Sequence, residues 1–348
     1  MLVVAGLSLR NLEPRVWDAR SRFYLPDLRG VMVSYADFHR NAVQRRAAMR
    51  HGVHAFLGTP ADVQVYLDNG AFHFLRQGGT GESRAYGDFV RRARPDWYPV
   101  RFDAIPTPRM PRCDQEACFE QTMRINRAYQ HDGFVPVIHI SSFLAEYIAA
   151  VQSHSKLAAK DRLALGGLVP NLLRSPKALP YAEILASLQQ VRREFPAKQI
   201  HVFGIGGTAT LHLAALLGVN SVDSSGWRNR AARGIVQLPG SGDRMVGDFG
   251  KWRGRVPTDE ERATLGACQC PACLRNPLAG LQENGIRGFC NRATHNLHVL
   301  LEEAAWLKQE LNAGTYRQSY RSRLNNSAYL PLIESVLTLS SGEELPVA

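Results

Sequence analysis

The chain has 348 residues, of which 45% are hydrophobic and 21% are charged. This is the composition of an ordinary globular protein, and it excludes low-complexity chains and solenoid arrays. The net charge of +11 favours a polyanionic partner such as a nucleic acid, although a basic surface without any ligand gives the same count. No apolar run approaches the roughly 18 residues of a membrane span, and the first residues lack a basic signal region. We therefore expect a cytoplasmic protein without a membrane partner.

Short apolar or β-branched runs alternate along the chain with stretches that carry apolar residues at three-and-four spacing. Such alternation predicts parallel strands joined by helices. The count of eight strands predicts a (β/α)8 TIM barrel, with a doubly wound sheet as the alternative. The predicted strands are 2–5, 30–34, 63–67, 98–102, 135–140, 163–168, 199–203 and 219–222, and the helical stretches include 37–50, 115–131, 181–194 and 208–217.

Polar residues and glycines stand at the carboxyl end of seven of these strands. Any one of them fits ordinary turn chemistry. Seven together predict a site, because the carboxyl ends of barrel strands converge on one mouth, where active sites are built. The residues are Ser34, Asp68 with Asn69 and Gly70, Asp103, His139, Gly166 with Gly167, Gly204, and Asp223.

Two carboxylates at this mouth, Asp68 and Asp223, are the best candidates for chemistry. Paired carboxylates with different pKa values can divide the work at a glycosidic bond, one attacking the anomeric carbon while the other transfers protons. Small residues follow both aspartates, which leaves room for a planar ring. Phe72 offers a stacking face for a base, or else it is a core aromatic.

A basic segment rich in Gly, Pro and Arg, residues 238–255, follows the last predicted strand. We expect it to form a mobile loop, with residues 1–245 as the catalytic barrel and 246–348 as a zinc-binding subdomain whose C-terminal helices pack on the barrel. Basic and aromatic residues near this boundary are candidate nucleic-acid contacts. They are Trp227, Arg228, Arg230, Arg233, Lys251 and Arg253.

Cys268, Cys270, Cys273 and His295 form a C-x-C-x2-C-x21-H set. Three thiolates and one imidazole complete a tetrahedron around Zn²⁺ and leave no position for water, so the predicted site is structural. Cys290 and His298 are alternative ligands. We prefer His295 because it is expected to open a helix over 295–311. A disulfide is disfavoured, since a C-x-C pair does not readily bridge itself.

These motifs resemble those of the tRNA-guanine transglycosylases. The segment 67–72, L-D-N-G-A-F, looks like their D-S-G-[GA]-F motif, and Phe102 with Asp103 resembles their base-binding segment. The turn at 165–168 is similar to their G-G-L turn, Val222 and Asp223 stand where the family keeps its nucleophile, and the zinc pattern is followed by the same H-N-L. The resemblance covers roughly residues 60–310, in the family's order.

The resemblance implies a zinc-bearing (β/α)8 barrel that exchanges guanine in a polynucleotide for a 7-deazaguanine base. Asp223 would be the nucleophile that holds the sugar covalently, and Asp68 the general acid and base. The guanine and the incoming base would be bound by Phe72, Asp103, His139, Gly166 and Gly167. The family also suggests a homodimer.

The chain departs from the tRNA enzymes at several positions. His139 stands where they have a glutamine, the segment after Asp223 lacks their Pro-Thr-Arg sequence, and no appended RNA-binding domain is recognisable. The chain is more similar to the phage and bacterial branch that inserts 7-deazaguanines such as 7-cyano-7-deazaguanine into DNA, where D-S-x-x-W-like sequence follows the nucleophile. We therefore expect DNA as the substrate, with tRNA as the alternative.

Two other classes of function stay open. A zinc-stabilised nucleic-acid-binding protein without catalysis would not need both Asp68 and Asp223. A metal-dependent hydrolase would need an open metal site, to which His73 and His139 could contribute, but no H-x-H pair ends a strand.

Overall fold

The computed structural model describes residues 1–76, 83–129, 133–167, 181–247, 253–325 and 327–340. Every predicted strand overlaps a strand of the structure. Those of the curled parallel arrangement are β1 (Leu2–Gly6), β2 (Gly30–Ser34), β3 (Gln64–Asp68), β4 (Tyr98–Pro99), β5 (Phe134–Val135), β6 (Val137–His139), β7 (Arg162–Gly166), β8 (Gln199–Val202) and β9 (Ser221–Ser224). A later antiparallel hairpin comprises β10 (Ile235–Leu238) and β11 (Gly242–Met245).

Helices follow most of the strands. Up to the last strand of the sheet they are α1 (Tyr35–Arg40), α2 (Ala42–His51), α3 (Val53–Leu57), α4 (Ala71–Arg76), α5 (Ser83–Ala93), α6 (Arg112–Ala128), α7 (Leu144–Ser153), α8 (Ser155–Ala158), α9 (Tyr181–Glu194) and α10 (Thr208–Leu216). After it come α11 (Gly226–Ala232), α12 (Asp259–Gly266), α13 (Leu278–Gln282), α14 (Gly285–Ala313), α15 (Tyr316–Arg323) and α16 (Leu330–Ser340). None of the helices in the described part of the chain combines the length and apolarity that a bilayer crossing requires.

The main sheet has seven strands in the order β3-β2-β1-β9-β8-β7-β6, with parallel neighbours throughout. β4 and β5 form a parallel pair, and a bridge between Tyr66 and Trp97 joins β3 to β4. The strand order follows the chain on both sides of β1, without the reversal that marks a doubly wound sheet. The parallel curled sheet is consistent with the predicted TIM-like fold.

Side chains on one face of the strands meet in a compact apolar cluster. Because successive residues of a strand point to opposite faces, alternate positions turn inward. The cluster contains Val4, Met32, Tyr66, Trp97, Val135, Val137 and Ala164. The other face packs against the helices in a larger core. This arrangement places the carboxyl ends of the strands around the end of the inner cluster.

Prolines account for the largest differences between the predicted and observed strands. Pro99 ends β4, so the predicted strand 98–102 is reduced to two residues, and Pro136 separates β5 from β6 within the predicted strand 135–140. Proline has no backbone N–H to donate to a neighbouring strand. The connection from β1 to β2 contains no helix. Trp17 anchors it, since the buried Trp17 Nε1–H donates to the Leu57 carbonyl at 3.2 Å.

The long helix α14 begins ten residues before the predicted start at His295. The prediction was wrong because several residues on the buried face of the first three turns are polar, so the apolar spacing of a helix is missing there. The buried Arg292 guanidinium donates to the carbonyls of Ala231 and Leu281, and Asn291 donates to the Gly280 carbonyl. His295 therefore lies in the interior of the helix. The division of the chain at 245/246 stays a prediction.

A buried polar network ties the C-terminal helices to the sheet. Glu303 of α14 is fully buried, and one of its oxygens lies 2.6 Å from His212 Nε2 of α10. Its other oxygen accepts hydrogen bonds from Arg323 at 2.8 Å and from the Gly240 N–H at 3.2 Å. A buried carboxylate needs such partners to offset its lost hydration. Glu303 therefore joins α10, α15 and the β10–β11 turn.

Candidate active site and metal centre

A cavity of about 330 Å³ opens at the carboxyl ends of the parallel strands. The predicted catalytic aspartates and four of the predicted base-binding residues line it together, although they come from five different segments of the chain. They are Asp68, Asp103, His139, Gly166, Gly167 and Asp223. The volume falls in the range of small-molecule sites, roughly 300–1,000 Å³.

Asp68, at the end of β3, is a carboxyl group that titrates near neutral pH. Burial raises its pKa to about 6, while hydrogen bonds from Ser34 and from the Gly70 backbone act in the opposite direction. The charges of Asp223 and Asp103 raise the pKa further. Ser34 Oγ donates to Asp68 Oδ2 at 2.7 Å. A carboxyl group of this kind can both donate and accept a proton at physiological pH.

Asp103 differs from Asp68, because its neighbours favour the ionised carboxylate. Its buried carboxylate accepts a hydrogen bond from Asn69 Nδ2 at 2.6 Å, and His139 Nε2 lies 2.7 Å from its other oxygen. Burial alone would raise the pKa of Asp103, but the contacts with His139 and Asn69 outweigh it and the pKa is lowered. Asp103 therefore presents an ionised acceptor to the cavity.

Asp223, on β9, is fixed by the loop that follows β8. The Gly204 N–H donates to Asp223 Oδ1 at 2.9 Å, and His201 Nε2 lies 3.4 Å from the same oxygen. The other nitrogen of His201 lies 2.9 Å from Ser221 Oγ. These contacts to Oδ1 orient the carboxylate. The Asp223 side chain is 14% exposed and lines the cavity, so the carboxylate is accessible to a ligand.

Two positions in this site require glycine, because neighbouring atoms lie too close for a side chain. A Cβ atom at Gly166 would lie 2.6 Å from His139 Nδ1, and one at Gly206 would lie 1.9 Å from the Ser224 Cβ. Both distances are far below van der Waals contact. Gly166 thus leaves room for the imidazole that pairs with Asp103, and Gly206 lets its loop pack against the strand that carries Asp223.

The predicted stacking residue, Phe72, lies in α4 directly after the Asp68 turn. Its side chain is outside the described part of the structure, so its role stays a prediction.

The four predicted metal ligands converge in the described structure. The ligand atoms of Cys268, Cys270, Cys273 and His295 all lie within 4.8 Å of one another. His295 Nδ1 is 3.3 Å from Cys268 Sγ and 3.5 Å from Cys273 Sγ. A tetrahedron with Zn–S near 2.3 Å and Zn–N near 2.0 Å requires sulfur–nitrogen separations of about 3.6 Å. The donor set and its spacing therefore fit a zinc ion, and all six cysteines are free of disulfides.

The surroundings of His295 are also those of a metal ligand. Its Nε2 lies 2.9 Å from the Gln237 carbonyl, which accepts the Nε2–H and leaves Nδ1 free to bind the metal. The next residue, Asn296, accepts from the Gln237 N–H at 2.7 Å and donates to the Trp227 and Ile235 carbonyls. The metal cluster is thus bonded directly to the β10–β11 hairpin.

The family model for queuine tRNA-ribosyltransferase matches residues 35–329, which include Asp68, Asp103, His139, Asp223 and the metal cluster. The chain belongs to this family.

Relatives of the chain within the family are archaeal. The tRNA-guanine(15) transglycosylase of Pyrococcus abyssi is 28% identical over 280 residues, covering 78% of this chain and 43% of that protein. The enzymes of the same name from Aeropyrum pernix and Archaeoglobus fulgidus are 24% and 23% identical, covering 77% and 80% of this chain and 49% and 55% of those proteins. The chain thus spans about half the length of these relatives.

Two of the predicted nucleic-acid contacts are wrong. Trp227 is fully buried, and its indole Nε1–H donates to the Gly6 carbonyl at 3.1 Å. Arg228 is 7% exposed, and its guanidinium donates to the carbonyls of Asn11 and Glu13. Both side chains attach α11 to the segment that follows β1. These contacts were not predictable from sequence, because a basic residue beside a tryptophan also fits a surface contact.

The other four residues stay predictions. Arg230 lies beside the site, where its Nε is 2.7 Å from Asp243 Oδ1. Arg233 and Arg253 are exposed, and neither lines the cavity that holds Asp223 and Asp68. Lys251 lies outside the described residues.

A second cavity, of about 690 Å³, adjoins the first and shares Gly204, Asp223 and Ser225 with it. The glycine-rich loop 204–207, the start of α10 and the β10–β11 hairpin line it, and residues 327–329 contribute from the C-terminal segment. Asp223 lines both cavities. The candidate nucleophile therefore stands at the boundary between a purine-sized space and a larger polar one.

Sequence reasoning did not assign a role to two residues of the site. Asn69 orients Asp103, and its Oδ1 also accepts from the Ala71 N–H at 2.9 Å. His201 approaches Asp223 from inside the sheet. A signal for His201 was available, since Gln199, His201 and Phe203 share one strand face and a histidine there must find a polar partner.

Proposed function

We propose that the chain is a base-exchange transglycosylase that replaces guanine in a polynucleotide with a 7-deazaguanine. The observation that carries the proposal is the presence of Asp68 and Asp223 in one cavity, the first with a pKa raised to about 6 and the second oriented by Gly204 and accessible. Family membership supports it. A carboxyl group with a raised pKa and a second, accessible carboxyl group in the same cavity can together carry out covalent exchange at a glycosidic carbon.

In the first half-reaction, a carboxylate oxygen of Asp223 forms a bond to C1′ of the target nucleoside. The bond between C1′ and the guanine nitrogen breaks, and its electron pair leaves with the base. Protonated Asp68 gives its proton to the departing guanine and becomes a carboxylate. The products are free guanine and a sugar bound covalently to Asp223.

In the second half-reaction, the Asp68 carboxylate removes the N–H proton of the incoming 7-deazaguanine. The nitrogen of that base then attacks C1′, and Asp223 leaves. Asp68 is protonated again, so the cycle closes without any other proton donor. Two displacements at one carbon retain the original configuration.

The base would be recognised by the buried wall opposite these aspartates. Asp103 is an ionised acceptor suited to the N–H groups along the purine edge, and His139 and Asn69 hold it in place. Gly166 and Gly167 bring backbone close to the ring. The metal cluster lies outside this cavity and would brace the fold without a chemical role.

We propose DNA as the polynucleotide. The support is the sequence after the nucleophile, Asp223-Ser-Ser-Gly-Trp227, which resembles the DNA-modifying branch and whose tryptophan anchors α11. The second candidate is tRNA, which is favoured by the names of the archaeal relatives. Cytoplasmic location and homodimer formation stay predictions.

The test is capture of the covalent intermediate. Purified protein is mixed with end-labelled guanine-containing DNA or with tRNA, without any incoming base, and separated under denaturing conditions. The expected result is a labelled adduct on DNA that is lost in Asp223→Asn and that disappears when 7-cyano-7-deazaguanine is added. Asp62→Asn, a change at an exposed aspartate that lines neither cavity, is the control and keeps the adduct.

An adduct formed on tRNA alone would reverse the choice of polynucleotide. The absence of an adduct on both, from protein that binds both, would refute the transglycosylase and leave a nucleic-acid-binding protein.

A further inference from the structure

Gln237, in the middle of β10, is buried in a way that folding alone does not explain. It is fully buried, yet within the described structure neither its side-chain oxygen nor its side-chain nitrogen has a hydrogen-bond partner. Leaving a buried amide unsatisfied costs about 1–3 kcal/mol per group. A side chain retained at this cost at the wall of a cavity is suited to a ligand that completes its hydrogen bonds.

The free end of Gln237 faces the second cavity, beside Asp223. Gln237 lines that cavity, and a Cβ at Gly207 would lie 3.9 Å from its Nε2, so the amide sits directly beneath the glycine-rich loop. A second buried polar atom without a partner, Thr208 Oγ1, lines the same space at the start of α10. Two unsatisfied polar side chains therefore converge on one side of the nucleophile.

The main chain of Gln237 is fixed from the opposite side by the metal cluster. Its carbonyl accepts from His295 Nε2 at 2.9 Å, and its N–H donates to Asn296 Oδ1 at 2.7 Å. Residues 295 and 296 belong to the rigid interior of α14, and His295 is itself one of the four converging ligands. The position of the Gln237 backbone is thus set by the metal site.

The identity of the ligand follows from the geometry of the two cavities, on the basis of the proposed function. When Asp223 bonds to C1′, the base occupies the first cavity, and the rest of the strand must leave on another side. The second cavity shares Asp223, is about twice as large and is lined by polar groups. A glutamine amide offers one donor edge and one acceptor, which suits the edge of a nucleobase.

We propose that Gln237 is a specificity-determining residue, which hydrogen-bonds the nucleotide adjacent to the target and is held in position by the zinc module through His295. The metal then serves substrate recognition as well as folding.

The test measures strand binding by fluorescence anisotropy, in an Asp223→Asn background that prevents covalent capture. The probes are a guanine-containing strand extended on both sides of the target and two shorter strands, each ending at the target on one side. The strand type is the one that forms the adduct with unmodified protein. Gln237→Leu keeps the side-chain size and removes both hydrogen bonds, and Gln199→Leu is the matched control at the exposed amino end of β8.

We expect Gln237→Leu to raise the Kd of the full strand about tenfold, the effect of losing one hydrogen bond of about 1.4 kcal/mol. The effect should vanish on one of the two shortened strands, and Gln199→Leu should change no Kd. Equal Kd values for Gln237→Leu and its parent on the full strand would overturn the proposal. So would an equal loss on all three strands, because that pattern belongs to a purely structural residue.

The positioning role of the metal site has its own variant. His295→Cys preserves four metal ligands but removes the Nε2–H that holds the Gln237 carbonyl. We expect one zinc per chain by elemental analysis and a Kd on the full strand that rises towards that of Gln237→Leu. Zinc retention with unchanged binding would refute the link to His295. Loss of adduct formation in the unmodified protein would refute the proposed function instead, so the two failures are separable.

Discussion

Removing the Ser34 hydroxyl should make the general acid weaker. Ser34 Oγ donates to Asp68 Oδ2 at 2.7 Å, and this hydrogen bond favours the ionised carboxylate and lowers its pKa. A hydrogen bond to a charged group contributes about 1.5–3 kcal/mol, and one pKa unit corresponds to about 1.4 kcal/mol. Since part of this energy is recovered by relaxation in Ser34→Ala, we expect the pKa of Asp68 to rise by about one unit, from about 6 to about 7.

The assay is the pH dependence of adduct formation without an incoming base, because this half-reaction requires Asp68 in its protonated form. The rate should fall as the pH rises through about 6 in the unmodified protein. In Ser34→Ala the same fall should come about one unit higher. Ser34→Thr retains the hydroxyl and is the control. A descending limb that stays in place, or that moves to lower pH, would refute the assignment of Asp68 as the proton donor.

Four further predictions follow from the structure. Asp68→Asn should raise the melting temperature more at pH 8 than at pH 4, because the contribution of a carboxyl whose pKa is raised on folding is fully present below its unfolded pKa of about 4 and is lost as pH rises through the folded pKa of about 6. Cys270→Ser should lose the bound zinc in elemental analysis, whereas Cys290→Ser, a buried cysteine outside the cluster, should keep it. Glu303→Ala should lower the free energy of unfolding in urea by about 3 kcal/mol, because it leaves Arg323 and His212 without their buried partner, while Glu302→Ala on the half-exposed face should change it by less than about 0.5 kcal/mol. Asp103→Asn should raise the KM for the incoming base about tenfold without comparable loss of strand binding, since it replaces an ionised acceptor in the base cavity. An equal loss of strand affinity would show that Asp103 does not act specifically on the incoming base.

The strands were predictable because their apolar runs are short and end in polar residues. In a parallel sheet the runs are buried on both faces, so each is nearly continuous in sequence, and the turn residues mark its end. The bounds of β4 and β6 were not predictable in detail, since Pro99 and Pro136 interrupt pairings that only the neighbouring strands reveal. The early start of α14 was hidden for a different reason. Its buried face there includes the hydrogen-bonded polar residues Asn291 and Arg292, and apolar periodicity does not detect them.

The candidate site was predictable as a set of residues but not as a set of contacts. Asp68, Asp103 and Asp223 were identified because each ends a strand, and the ends of parallel strands meet. The side chains that contact them come from elsewhere in the chain. Ser34 is 34 residues from Asp68, and His201 approaches Asp223 from a neighbouring strand. Trp227 and Arg228 were misassigned because sequence does not tell which side of a short helix faces the core.

The unequal lengths of the strand pairings have a consequence for how the protein accommodates its ligand. β2 and β3 pair over five residues, and β1 and β9 over four, whereas β4 and β5 contribute two residues each. Asp68 and Asp223 stand on the long pairings, and Asp103 follows the short one. Amide protons along β4 and β5 should therefore exchange with solvent sooner than those of β2 and β3. Under the proposed function, the wall that would bind the base is then the more adaptable part of the site, while Asp68 and Asp223 keep their separation. An enzyme built in this way could change its substrate without changing its chemistry.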